Sequence, residues 1–174
     1  VFALTLPPNW LVVAPRAIVT TGENIFSWQA RAENEWPGLA HFAEAVRAVS
    51  HFIQALPALY DADLNQLYLM GFSQGAAVAF ATAIAQPGLF KGIASLVGFT
   101  PLQIDEAMAM AVLRGTAVFM AAGLQDERIP LPVAQASAEA VRAMGATLEY
   151  REYDTGHKLN IEGMRHLKSW WAER

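Results

Sequence analysis

Gly71-Phe72-Ser73-Gln74-Gly75 constrains the fold of this chain more than any other stretch. It lies where an apolar run, Leu67-Tyr68-Leu69-Met70, gives way to a small-residue helical stretch from Ala76 to Ala85. Strand, sharp turn and helix in that order lift the serine clear of both elements. The flanking glycines give the backbone room to bend. A bare G-x-S-x-G is a common pattern. The strand before it and the helix after it make it the nucleophile elbow of a serine hydrolase.

The elbow needs a domain around it, and 174 residues are enough for one domain with a sizeable core. Hydrophobic residues make up 54% of the chain and charged residues 16%, so much of it should be buried. A net charge of −4 and the absence of a basic run argue against nucleic acid as a partner. The chain has Cys 0, which removes disulfides and thiolate metal sites. No apolar stretch approaches the roughly 20 residues of a membrane span. The N-terminus, Val1 to Pro8, has no basic region and does not read as a signal peptide. A cytoplasmic location is the expectation. The sequence starts without methionine, so it is expected to begin inside a longer reading frame or after processing.

Hydrophobic periodicity and breakers place the other elements. Val1 to Leu6 reads as a helix end stopped by Pro7-Pro8. Trp10-Leu11-Val12-Val13-Ala14 reads as a strand buried on both faces. Arg16 to Trp36 is a long irregular stretch, in which Phe26 and Trp28 argue for packing onto the body. Pro37 opens a helix running to about Leu56, with Leu39, Phe42, Val46, Val49 and Ile53 on its apolar face. Strands are expected at Gln66–Met70, Gly92–Val97, Thr116–Ala122 and Thr147–Tyr153. Helices are expected at Gln74–Ala85, Asp105–Leu113, Pro132–Met144 and Asn160–Trp171. Strands alternating with helices predict an α/β fold around a mostly parallel sheet. No repeat or linker divides the domain.

A serine hydroxyl needs a base to take its proton and a third group to orient that base. Asp126 and His157 are the candidates. Each follows a predicted strand, at the sheet edge where ligands bind in open parallel sheets, and Ser73 shares that edge. The chain order Ser, Asp, His is that of α/β-hydrolases. Asp154 is a rival for Asp126, but it is close to His157 and reads as a turn former. His41 and His51 precede the serine on a helix, and His166 should lie on the exposed side of the last helix. The histidines are scattered, with no metal-binding spacing. Met108 and Met110 read as packing residues.

With these residues in place the chain resembles the phospholipase/carboxylesterase family of α/β-hydrolases, the acyl-protein-thioesterase-like esterases. Val12-Val13-Ala14-Pro15-Arg16, Trp28, Gly71 to Ala76, Ala94 to Leu102, Gly123 to Pro130 and Gly156-His157 carry the resemblance in order. It implies a serine esterase acting on small-molecule carboxylic esters or thioesters without a cofactor or metal. Ser73 would attack the acyl carbonyl, His157 would shuttle the proton, and Asp126 would orient the imidazole. The backbone N–H of Gln74 would be one oxyanion donor. Trp28, Phe99, Pro101, Leu102 and Ile129 would line the acyl site, with ordinary core packing as the competing reading. The resemblance also implies an upstream strand, lying between those of Trp10–Ala14 and Leu67–Met70, whose following loop supplies the second oxyanion N–H. Without it two strands would be left with unpaired backbone.

Two other functions compete with the esterase. One is a non-catalytic hydrolase-like module binding ligands or partners, against which an intact Ser73, Asp126 and His157 argue. The other is a peptidase, disfavoured because no propeller or large cap is present. The Trp170-Trp171 pair offers a homodimer contact if exposed, with burial against the last strand the expected outcome.

Overall fold

The computed structural model describes residues 2–29, 36–104 and 111–174. Its centre is a four-stranded parallel sheet ordered β3-β4-β5-β6, made of Leu67–Phe72, Phe90–Leu96, Ala117–Gly123 and Thr147–Tyr153. A separate antiparallel pair, β1 (Val19–Gly22) and β2 (Ile25–Ser27), precedes it. The helices are α1 (Ala43–Tyr60), α2 (Gln74–Ala85), α3 (Leu131–Ala143) and α4 (Ile161–Ala172).

The central strands β4 and β5 are near-continuous apolar runs because both their faces are covered. Alternation sorts their side chains. Ile93, Val118 and Met120 pack with Val49 and Ile53 of α1, Phe80 of α2 and Val141 of α3. Ala94, Leu96, Phe119 and Ala121 pack on the other face with Leu167, Trp170 and Trp171 of α4. Trp170 and Trp171 are only 2% and 1% exposed, so the pair is spent on the core. Among the described residues, no helix is long and apolar enough to cross a membrane.

The two sheet edges differ. β6 carries Glu149, Arg151 and Glu152, with Arg151 paired to Glu149 at 2.6 Å, and such charge discourages further strand pairing. β3 has no charged residue, and it lines a cavity of about 1040 Å³ that Trp10 to Pro15 also line. Thr82 Oγ1 and Trp171 Nε1, from residues on this cavity, are buried with no hydrogen-bond partner among the described residues.

Several expectations are corrected here. Trp10–Ala14 has no assigned strand structure and is not buried on both faces. Leu11 and Val12 are 50% and 47% exposed, and no strand pairs with the segment among the described residues. Trp10 alone anchors it, stacked on Tyr68 at 4.4 Å. The helix expected to end at Leu56 continues through Pro57 to Tyr60. Pro57 falls in its exposed last turn, and the left-handed Asp61 caps it by donating its N–H to the Pro57 carbonyl at 3.1 Å. That helix is preceded by a 3-10 turn, Leu39–Phe42, and the chain's N-terminus is a second one, Phe2–Thr5. The stretch from Arg16 to Trp36 contains the β1–β2 hairpin rather than being wholly irregular. In the Asp105–Leu113 helix expectation, residues 105–110, Met108 and Met110 included, lie outside the described residues, while 111–115 form turns.

Candidate active site

The elbow is a strained turn between β3 and α2. Ser73 has φ 54 and ψ −121, a backbone region that side chains rarely enter. Its N–H donates to the Leu96 carbonyl at 3.0 Å, tying the turn to β4. At Gly71 an added Cβ would stand 2.2 Å from the Gly75 carbonyl oxygen, so only glycine fits. At Gly98 it would stand 2.3 Å from Ala76 Cβ, so the loop after β4 abuts the same turn. Gly75 differs from expectation. An added Cβ there meets nothing within 4 Å, so packing among the described residues does not require that glycine.

Asp126 and His157 follow β5 and β6, and their loops are stitched together. Leu124 N–H donates to the Tyr153 carbonyl at 2.9 Å and Gln125 N–H to the Thr155 carbonyl at 3.0 Å. Asp126 Oδ1 accepts from the N–H groups of Arg128 and Ile129 at 2.8 and 2.9 Å. Asp126 Oδ2 lies 2.8 Å from His157 Nδ1. The carboxylate side chain is 1% exposed and the imidazole 15%, so the carboxylate is buried, the imidazole is half-buried, and both carboxylate oxygens are partnered. A carboxylate facing Nδ1 favours the tautomer with its proton there, which leaves Nε2 free to accept. The rival Asp154 is engaged elsewhere, accepting from Gln125 Nε2 at 2.6 Å.

Ser73 follows the opposite edge strand, β3. The Phe72 ring, one residue before Ser73, packs edge-on against the His157 imidazole at 5.1 Å. Ser73, Asp126 and His157 therefore stand at the C-terminal ends of β3, β5 and β6 in one parallel sheet. Gln74 is the first residue of α2, where no intrahelical carbonyl can reach its N–H. That N–H is available to an anion, and the helix dipole reinforces it.

The residues expected to line an acyl site separate into three places. Trp28 is half-buried on the same cavity as Ser73 and Gln74. Phe99, Pro101 and Leu102 line a different cavity of about 410 Å³ with Trp36 and the first turns of α3. Ile129 is buried, and its N–H serves Asp126. Among the described residues no cluster of His, Asp or Glu has the arrangement of a metal site.

Two contacts were not legible from pattern. His166, expected on the exposed side of its helix, is half-buried, with Nδ1 3.0 Å from the Tyr153 hydroxyl. Burial is the main reason the Tyr153 phenol is pushed up to about 12. Gln74 Oε1 accepts from Trp28 N–H at 2.9 Å, a bond across 46 residues that only the presence of glutamine inside the elbow could have hinted at.

Comparison with known proteins agrees with the fold. The family model described as Phospholipase/Carboxylesterase matches residues 13–172. A protein of Arabidopsis thaliana named "Probable carboxylesterase SOBER1-like" is 26% identical over 112 residues, covering 63% of this chain and 43% of the relative. A rice protein (Oryza sativa subsp. japonica) named "Probable inactive carboxylesterase Os04g0669700" is 25% identical over 126 residues, covering 68% of this chain and 51% of the relative. The chain thus spans about half the length of these curated relatives. Among solved structures, a carboxylesterase from Mesorhizobium loti superposes with a TM-score of 0.85 at 20% identity, over 99% of this chain and 80% of that one. Arabidopsis thaliana SOBER1 superposes with a TM-score of 0.73 at 22% identity, over 92% and 80%. Because that family model spans most of the chain, the chain belongs to the phospholipase/carboxylesterase family of α/β-hydrolases.

Proposed function

We propose that the protein is a serine esterase that cleaves carboxylic esters or thioesters of small to medium acyl groups. The observation that carries this reading is the Asp126–His157 pair, its carboxylate buried, beside a strained Ser73 elbow. Ser73 Oγ attacks the acyl carbonyl carbon while His157 Nε2 takes the hydroxyl proton. The Gln74 N–H receives the developing oxyanion. His157 then gives its proton to the departing alcohol or thiol, leaving an acyl-enzyme on Ser73. Water attacks that ester with the same imidazole as base, and the acid leaves.

The upstream strand implied by the resemblance would run between β3 and the Trp10–Pro15 segment, along the open cavity that ends at Ser73 and Gln74. Its following loop would bring the second oxyanion N–H opposite Gln74.

A second reading is a ligand-binding module without turnover. It is favoured by the rice relative whose name calls it inactive. Hydrolysis of p-nitrophenyl acetate and butyrate by the wild type and Ser73→Ala, with fluorophosphonate labelling, separates the two. Serine-dependent turnover and labelling support the esterase. A folded wild type that neither turns over nor labels sinks it in favour of the binding module.

A further inference from the structure

The Gln74 side chain sits where the elbow meets the β1–β2 arm. Its Oε1 accepts from the Trp28 N–H at 2.9 Å and lies 3.1 Å from Ser27 Oγ. A backbone N–H can only donate, so the Trp28 contact fixes which side of the amide faces the arm. Ser27 Oγ is 2.7 Å from the Gln29 carbonyl, and its single proton belongs to that shorter bond. The firm tie between arm and elbow is therefore Trp28 N–H to Gln74 Oε1.

The arm needs such a tie. β1 and β2 form a sheet of their own, mostly exposed, and an isolated two-stranded hairpin is marginal in water. What holds it to the body is the Trp28 ring, packed against the core around α1 and α2, and the Gln74 bond beside it. Trp28 also lines the cavity that reaches Ser73. One residue thus carries both the candidate oxyanion N–H, on its backbone, and the anchor of a wall of the cleft, on its side chain.

We propose that the Gln74 side-chain carbonyl is a positioning group. It pins the β1–β2 arm across the elbow and fixes Trp28, so that it sets how large an acyl group the Ser73 cleft accepts. The kinetic half rests on the esterase reading, and the pin itself rests on the geometry alone.

The test uses the full-length protein with Gln74→Met, which removes the acceptor at similar length, and Gln74→Glu, which keeps it. Hydrogen exchange of the Trp28 amide reads the pin. Exchange should rise by at least about 10-fold in Gln74→Met and stay within about 3-fold of wild type in Gln74→Glu. The ratio of kcat/KM for p-nitrophenyl butyrate over acetate reads the cleft. Loss of oxyanion stabilisation lowers both esters alike and cancels in that ratio, as it would for the added charge of Gln74→Glu. The ratio should move by roughly 3-fold or more in Gln74→Met and by less than about 2-fold in Gln74→Glu. If Gln74→Met folds poorly, Gln74→Ala takes its place.

A Trp28 amide that exchanges equally fast in wild type and Gln74→Met overturns the pin. Equal ratios in a variant that has lost the pin overturn the role in acyl selection. A wild type that turns over neither ester, yet shows exchange that depends on Gln74, removes the esterase reading and supports the pin.

Discussion

Asp126 Oδ2 stands 2.8 Å from His157 Nδ1, while the other carboxylate oxygen accepts two backbone N–H groups, from Arg128 and Ile129. The two N–H groups can only donate, so in Asp126→Asn they would hold the amide oxygen and turn the NH₂ toward His157. A donor facing Nδ1 forces the imidazole proton onto Nε2, which can then no longer accept from Ser73. Ester hydrolysis should fall by roughly 10⁴ in kcat with the fold retained, the loss expected for this change in a serine triad. A fall of less than about tenfold would remove Asp126 from the role assigned to it here.

The two elbow glycines should respond oppositely. Gly71→Ala places a Cβ 2.2 Å from a backbone oxygen, which cannot swing aside like a side-chain tip. It should destabilise by about 1–3 kcal/mol and displace Ser73. Gly75→Ala puts a methyl into open space on a helix and should be neutral to stabilising by up to about 1 kcal/mol. Urea unfolding of both variants checks the contrast. Equal losses would mean that the elbow is held by conformation rather than by close approach.

The sequence made the elbow, the four parallel strands and the Asp–His pairing legible because each rests on local signals: apolar runs, small residues after the serine, and loops ending strands. Gln74 to Ala85 matches the observed helix end to end for that reason. Trp10–Ala14 misled because an apolar run states what a segment would bury, not whether a neighbour is there to bury it. Pro57 misled because a proline in an exposed last turn loses only one hydrogen bond. The β1–β2 hairpin was hidden because Val19–Ser27 shows no clean alternation of apolar and polar residues. The Gln74–Trp28 bond and the split of the expected acyl lining between two cavities are tertiary facts with no period to read.

Tyr153 links stability to alkaline pH. Burial first, then Glu162 and Glu149, push its phenol up to about 12, while Arg151 works against them. In the unfolded chain it ionises near pH 10, the ordinary value. Between pH 10 and 12 the unfolded state therefore binds fewer protons than the folded one, and the stability of the fold declines as pH rises. Below pH 10 the contribution is fully present. Denaturant midpoints should fall across that window in wild type and fall less in Tyr153→Phe. Parallel declines in the two proteins would show that Tyr153 is not the source.

The open flank of β3 makes the strongest structural prediction. The cavity of about 1040 Å³ is lined by every residue of Leu67–Phe72, so it runs the whole length of β3. A form of the protein extended upstream of Val1 should fill this space with a strand parallel to β3. The outward-facing amides of β3 should then exchange more slowly than in the 174-residue chain. Melting should rise by roughly 2–4 °C for each kcal/mol gained. Ester turnover should rise by roughly 10²–10³, the effect of one added oxyanion donor. Unchanged β3 exchange in the extended form would mean that the cavity is not a strand site. Slowed exchange without a gain in turnover would separate the strand from the oxyanion loop, keeping the first and discarding the second.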